Sequence, residues 1–404
     1  MKKIILLAGF VAGGVALSAT AFANNWLLYL PAIISGSGGG NEPAPNKESY
    51  NLLLFMPAIL AGSQRGTEPE PPVGVTGALN DTGITATVGS TGKEDANYGR
   101  DADPETKSND DGYAGFSFTK LNSTGNALDA TAEPWSCVQD NVTGLIWSSD
   151  QKESFRWNQI DGLVDKANTE SLCGKKDWRL PEVGELVSII SYDTVSYDTG
   201  NTVDVAYFGD TQVNPKTGGL VWYWTATAVD QSNQWGVTFQ PLYDTDKQYV
   251  SLSNTLSTGE LESQSVRLVS GTLATSNFTP IGDGDTVQDN NTGLIWKRCL
   301  EGQTFSNGNC SGTGAEKTWT QALALDDGTW RVPNIKELHS LVGKEEYFPT
   351  PTTDEYVWSS SPYAGNTQNS WMINFKDGLL WNAISQNPEE VAVYVRLVRN
   401  VPAE

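Results

Sequence analysis

Apolar residues recur along this chain at helical and at alternating spacing. Trp157, Ile160 and Val164 keep helical spacing, as do Trp319, Ala322 and Leu323. A second helical set follows each: Val183, Leu186, Ile189 and Ile190, then Ile335, Leu338, Leu341 and Val342. Pro181 and Pro333 stand ahead of these sets and suit the first turn of a helix. Alternation in Trp358-Ser359-Ser360, Trp371-Met372-Ile373-Asn374-Phe375 and Val393-Tyr394-Val395-Arg396-Leu397 predicts strands. Shorter strands open each half, at Phe116-Ser117-Phe118 and Asn277-Phe278-Thr279. The pattern predicts an α+β unit: two short helices beside a small antiparallel sheet whose first and last strands are neighbours.

That pattern occurs twice. Asp140-Asn141-Val142-Thr143-Gly144-Leu145-Ile146-Trp147 returns as Asp289-Asn290-Asn291-Thr292-Gly293-Leu294-Ile295-Trp296. Asp177-Trp178-Arg179-Leu180-Pro181 returns as Thr329-Trp330-Arg331-Val332-Pro333. Trp224-Thr225-Ala226 matches Trp358-Ser359-Ser360, and Val266-Arg267-Leu268-Val269 matches Val395-Arg396-Leu397-Val398. Blocks repeated in one order mean a duplicated domain, with copies over 113–270 and 277–400. What both copies keep reads as scaffold, and what differs is free to carry function. In the Asp-Asn-x-Thr-Gly block, Asn and Gly tolerate positive φ and the Asp side chain can cap a turn.

The segment ahead of the copies is different in kind. Residues 1–23 read as a signal peptide: Lys2 and Lys3, an apolar stretch to Leu17, then Ala21-Phe22-Ala23 as cleavage site. Two Pro-broken apolar repeats with Gly- and Pro-rich linkers fill 24–74, with cores over 26–34 and 52–61. Proline excludes a central helix or central strand there. The repeats read either as stretches packed on a domain or as docking peptides for a partner or for copies of this chain. Residues 75–112 are polar and acidic. Glu94, Asp95, Asp101, Asp103, Glu105, Asp110 and Asp111 read as a solvated loop, with calcium as the alternative. The whole N-terminal segment is expected to be flexible.

Charge and composition narrow the function. Among 404 residues the net charge is −22, so most of the surface would repel nucleic acid and anionic membrane. No later stretch approaches the ~20 apolar residues of a membrane span. Gly (40) is frequent and charged residues make up 18%, which suits a loop-rich exported protein, periplasmic or at the cell surface. In such a compartment the 4 Cys predict two disulfides. The duplication favours Cys137 with Cys173 and Cys299 with Cys310, one bridge per copy.

The repeated blocks, with Glu185-Leu186 and Glu337-Leu338 after Trp-Arg-Leu/Val-Pro, resemble the family named for the C-terminal domain of the Legionella collagen-like protein. The resemblance covers roughly 113–400. It implies two tandem C-type-lectin-like modules, surface display and, where a role is assigned, adhesion to sulfated glycans. A polyanionic ligand conflicts with so acidic a chain. The Glu-Pro-Asn and Trp-Asn-Asp pairs of calcium-dependent sugar-binding lectins are missing from both copies.

A search for catalytic signatures returns little. The 1 His, His339, falls on the second helix of copy two and reads as a partly exposed helix residue without a triad partner. Walker and dinucleotide motifs are absent, and the reading is non-enzymatic with no cofactor. Binding candidates are aromatic and polar residues outside the repeated blocks: Trp381, Tyr363, Asn369, Asn382, Gln386, Trp222 and Tyr243. Aromatic faces stack on sugar rings while amides bond hydroxyls. By contrast Trp147/Trp296, Trp178/Trp330, Trp224/Trp358 and Trp235/Trp371 occur in both copies and read as core. Asp283, Asp285 and Asp289 form an acidic loop that caps a turn or, alternatively, holds calcium. Three functions follow: an adhesin-like surface protein binding a glycan or protein ligand, an assembly component docking through its apolar repeats, and a hydrolase or oxidase on a lectin-like fold.

Overall fold

The computed structural model describes residues 79–401 except 89–90, 105, 107–110, 150–152, 194–201, 210–220, 245–246, 259–262, 273–276, 283, 350–355, 365, 367, 377 and 385–390, with backbone alone over 240–255 and at 384. All described residues belong to the unit Thr67–Glu404. The expected signal peptide and the apolar repeats at 26–34 and 52–61 lie outside the described residues.

The first copy opens with β1 (Phe118–Leu121), β2 (Cys137–Asp140) and β3 (Ile146–Ser148). Next come β4 (Ser154–Arg156), α1 (Ile160–Thr169), α2 (Val183–Ser188) and a four-residue helix α3 (Val205–Phe208). It closes with β5 (Trp222–Ala228), β6 (Asn233–Asp244), β7 (Lys247–Ser257), β8 (Ser263–Ser265) and β9 (Val269–Ser270). The second copy runs β10 (Phe278–Ile281), β11 (Thr286–Asp289), β12 (Leu294–Lys297), β13 (Thr304–Ser306), β14 (Asn309–Ser311), α4 (Trp319–Leu323), α5 (Ile335–His339), β15 (Tyr356–Pro362), β16 (Asn369–Asn374), β17 (Leu380–Ile384) and β18 (Val398–Asn400). The architecture is mostly small antiparallel sheets with a few short helices, α+β, in two tandem segments; β5 and β8 alone pair in parallel among the described strands.

Each copy holds two main sheets rather than one. The outer sheets have the same order, β1-β2-β3-β9 and β10-β11-β12-β18. The last strand therefore pairs with the Leu-Ile-Trp strand, Trp147 opposite Val269 and Trp296 opposite Val398, and not with the first strand as expected. The inner sheets diverge: β4-β8-β5-β6-β7 in copy one, β15-β16-β17 in copy two. Most of the predicted strand 393–397 is irregular, tied by single bridges from Val393 to Lys317 and from Tyr394 to Val357. Pro181 and Pro333 lie one residue outside the N-caps, Glu182 and Asn334, and so precede the first turn they were expected to occupy.

The repeated blocks prove to be joints of this scaffold. Arg179 and Arg331 pair their backbones with Val269 and Val398 of the last strands. Their guanidinium groups grip Glu185 and Glu337 in twin forks at 2.6 and 2.7 Å. Each Glu also accepts from the N-cap amide of its helix. One block thus fastens the end of the module to the start of its second helix. Trp224 and Trp358 are fully buried, their indoles donating to Phe155 O and Lys317 O. Thr225 and Ser359 beside them bond the carbonyls of Trp235 and Trp371. Buried Arg267 and Arg396 donate to backbone carbonyls of their own modules, Ser148 O and Lys297 O. The turn acids Asp140 and Asp289 accept from amides two residues on, and Gly144 and Gly293 supply the positive φ that follows. Of the eight duplicated tryptophans, six are buried, while Trp235 and Trp330 are half-buried. Bridges join Cys137 to Cys173 and Cys299 to Cys310, the pairing favoured by the duplication.

Each copy has a small core of its own, around Trp178 and Trp224 in one and around Trp319 and Trp358 in the other. A larger core runs through both. It joins Val138, Trp147 and Leu186 to Trp296, Leu338 and Trp371 without a break. Tyr192 of copy one meets Trp371 of copy two edge to face, ring centres 5.4 Å apart. The two copies are therefore packed as one body.

Candidate functional site

The lead-in to the copies is where expectation and structure part most. A solvated acidic loop was expected; Asp103 and Asp111 are exposed, yet Glu94, Asp95 and Asp101 are buried, as is Asp81 ahead of them. Ile84 enters the shared core and Val88 packs on the core of the second copy. The acids face inward because polar partners from the second copy and from the lead-in itself meet them. Ser361 donates to Asp95 at 2.6 Å, Asn334 donates to Asp81 at 3.1 Å, and Thr82 reaches both Asp95 and Asp101. Gly99 is obligatory here: a Cβ at its φ of +82° would fall 2.0 Å from the Asp81 carboxylate. Tyr98 and Lys93 extend the contact by bonding Asp326 of the second copy.

Burial sets the charges in this layer. Desolvation, then repulsion from Asp81, pushes the Asp95 carboxyl up to about 7 and that of Asp101 to about 10. Desolvation also raises Asp81 and Asp140. Lys336, from α5, reaches into the layer; burial pulls it down to about 7 against the pull of Asp81 and Asp140. Its Nζ donates to Asp81 O at 2.6 Å and to Ser188 O at 2.8 Å, so it touches lead-in and first copy together.

Above this layer α2 and α5 approach each other and leave a cleft of about 800 Å³. Val183 and Val187 wall one side, Phe278 and Val342 the other. Arg179, Glu182, His339 and Lys344 add polar groups, and Asn80 and Lys336 lie at its edge with the buried layer. His339 was expected to be partly exposed. It is 7% exposed, and burial pulls its imidazole down to about 4, so it is neutral near pH 7. A concave, mostly apolar space of this size with a few polar groups is the usual form of a ligand site.

The predicted binding residues do not gather into one site. Trp381 is 43% exposed and meets Tyr356 edge to face. Asn382, next to it, points through the opposite face of the sheet, where it is buried and accepts from Asn369 at 2.8 Å. Tyr363 is buried against the Trp371 ring, 5.3 Å away. Trp222 is half-buried on the first copy's own core. Tyr243 lies in β6 opposite Gln248, with only its backbone described. Gln386 and Asp283 lie outside the described residues. Of the other acids proposed for calcium, Asp285 pairs with Lys297 at 3.0 Å and Asp289 caps its own turn. Among the described residues no group of three or more His, Cys, Asp or Glu is arranged to hold a metal ion. Nor is any described helix long and apolar enough to cross a membrane.

The cleft itself was missed by sequence reasoning. One signal could have pointed to it: Gly184 and Val187 in copy one stand where copy two has Lys336 and His339, a change of chemistry inside an otherwise repeated block.

Comparison with known families agrees with the duplication. The model of the Lcl C-terminal domain matches the chain twice, over residues 136–269 and 285–399. No curated protein matches the chain.

Proposed function

Because the chain belongs to the Lcl C-terminal domain family over both of its modules, we propose that it is an exported, non-enzymatic binding protein of the cell surface, adhesin-like in action. The C-type-lectin-like fold is part of this reading, as is a glycan or protein ligand. One observation carries it: the cleft of about 800 Å³ is lined by both copies, and among its lining residues Gly184 and Val187 of one copy face a different chemistry, Lys336 and His339, at the same positions of the other. Shared residues such as Arg179 and Glu185 form part of the frame of the cleft, and the divergent ones are where a ligand can be read. Two disulfides fit an oxidising compartment outside the cytoplasm. A surface-associated family fits the same address.

The cleft offers apolar walls for the flat faces of a sugar or for an apolar side chain. Glu182 and Lys344 would bond hydroxyl or carbonyl groups at its rim. Trp381 offers a separate aromatic platform on the outer face of β17. Screening the mature chain on a glycan array, with calcium and with chelator, tests the reading. Binding that Val342→Trp abolishes by filling the cleft, while Trp381→Ala leaves it intact, supports the cleft. Binding lost with Trp381→Ala alone moves the site to β17, and a blank array under both conditions removes the glycan.

A further inference from the structure

Asn80, Asp140 and Lys336 come from the lead-in, the first copy and the second copy; Asn80 bonds Asp140 and lines the cleft together with Lys336. All three are buried, at 1%, 0% and 4% exposure. Lys336 has no carboxylate within ion-pair distance among the described residues. Its two hydrogen bonds run to carbonyl oxygens, Asp81 O and Ser188 O, and the Phe116 ring lies 4.4 Å from Nζ. An ammonium offers three protons; a neutral amine offers two and keeps a lone pair. The observed partners match the neutral amine. Asn80 is the residue before Asp81, whose carbonyl holds Nζ, and it lines the same cleft as Lys336. Its amide nitrogen lies 2.5 Å from Asp140 Oδ2, and its Oδ1 is buried without a partner. With Asp140 protonated, turning the amide over lets the acid donate to Oδ1.

We propose that Lys336 and Asn80 become joined by an intramolecular isopeptide bond, with Asp140 as the proton carrier. The chain would then be its own substrate. The Nζ lone pair adds to Asn80 Cγ while the Asp140 proton passes to Oδ1. The carboxylate so formed takes a proton from Nζ and hands it to Nδ2. The Cγ–Nδ2 bond breaks, the carbonyl re-forms as Oδ1 returns its proton to Asp140, and ammonia leaves. An amine and a primary amide give a secondary amide and ammonia, so no oxidant or cofactor is required. Burial favours the starting forms, since it lowers the amine to about 7 and raises the acid. Gly184 stands at the equivalent position of the first copy, so the reaction occurs once per chain. Its product ties the lead-in to the second copy and locks it across the first.

Intact mass measurement of the full purified chain, with disulfides reduced, tests this directly. The expected mass is about 17 Da below that of the sequence from its actual N-terminus, the loss of one ammonia. Trypsin should then release one branched peptide joining 66–93 to 332–344, uncut at Lys336. Lys336→Arg should restore the full mass and both linear peptides. An unmodified mass overturns the proposal. So does a 17 Da deficit with separate linear peptides, because a cyclic imide at an asparagine loses ammonia without a branch. A deficit that survives in Lys336→Arg overturns it as well.

Discussion

Helices α2 and α5 descend from one block, and each starts with the same fork of arginine to glutamate. They differ at Gly184 and Lys336 and again at Val187 and His339. In the first copy these positions are filled by a hydrogen and an apolar group. In the second they bring an amine and an imidazole, both buried, to the boundary between the copies. Retained residues hold each module together, while substituted ones decide how the modules meet. Burial separates the forks too. The Arg331 and Glu337 side chains are each 11% exposed, whereas Arg179 is 33% exposed and can reach water.

The largest expected effect breaks that pair of forks apart. Glu337→Ala strands a buried guanidinium and should cost about 3–5 kcal/mol in urea unfolding. Glu185→Ala should cost about 1–2 kcal/mol less, because Arg179 regains solvent. Equal losses would contradict the difference in burial. A second test uses pH. Asp95 and Asp101, raised to about 7 and 10, keep protons in the folded state that the unfolded chain releases above about pH 4. Their contribution is complete below that value and is lost as pH rises through 7 and then 10. Lys336, lowered to about 7, opposes this above pH 7, and His339, lowered to about 4, opposes it below 6.5. The net gain therefore falls just below neutrality: from pH 7.5 to 6.5 stability should rise by about 1 kcal/mol with Lys336 as a free amine, and by more where Lys336 is cross-linked and no longer titrates. A midpoint in urea that falls over that interval would contradict the buried acid layer.

The bridges should differ by a similar amount. Cys137–Cys173 spans 36 residues and is buried, while Cys299–Cys310 spans 11 with Cys310 partly exposed. Loop entropy makes loss of the longer one costlier by about 1 kcal/mol. Mild reductant should open 299–310 first, as read by thiol alkylation. The smallest effect belongs to Trp381→Ala, which should move stability by no more than about 0.5 kcal/mol. A larger loss would make this tryptophan part of the core.

How much of this was legible follows from what each residue does locally. Helical spacing and caps report on neighbours in sequence, so the starts of α2 and α5 were legible, while their ends came two and three residues earlier than the apolar sets suggested. The duplication exposed the cysteine pairing because bridges closed inside a copy respect its boundaries. Strand partners were less legible: Val269 and Val398 seek the Leu-Ile-Trp strand through contacts that no periodicity encodes. The lead-in misled most. Asp81, Asp95 and Asp101 look like any solvated acids, and only partners far along the chain, Asn334, Lys336 and Ser361, bring them inside. Tyr363 and Asn369 erred the other way, because a loop-like sequence hid strands that fold over them.

The central claim is that the shared core and the acid layer make two copies of one domain unfold together. Scanning calorimetry of the full chain tests this most directly. One cooperative transition for both modules, with calorimetric and van't Hoff enthalpies equal, is the predicted result. Two separable transitions, one assigned to each module by the disappearance of its own tryptophan signal, would contradict it.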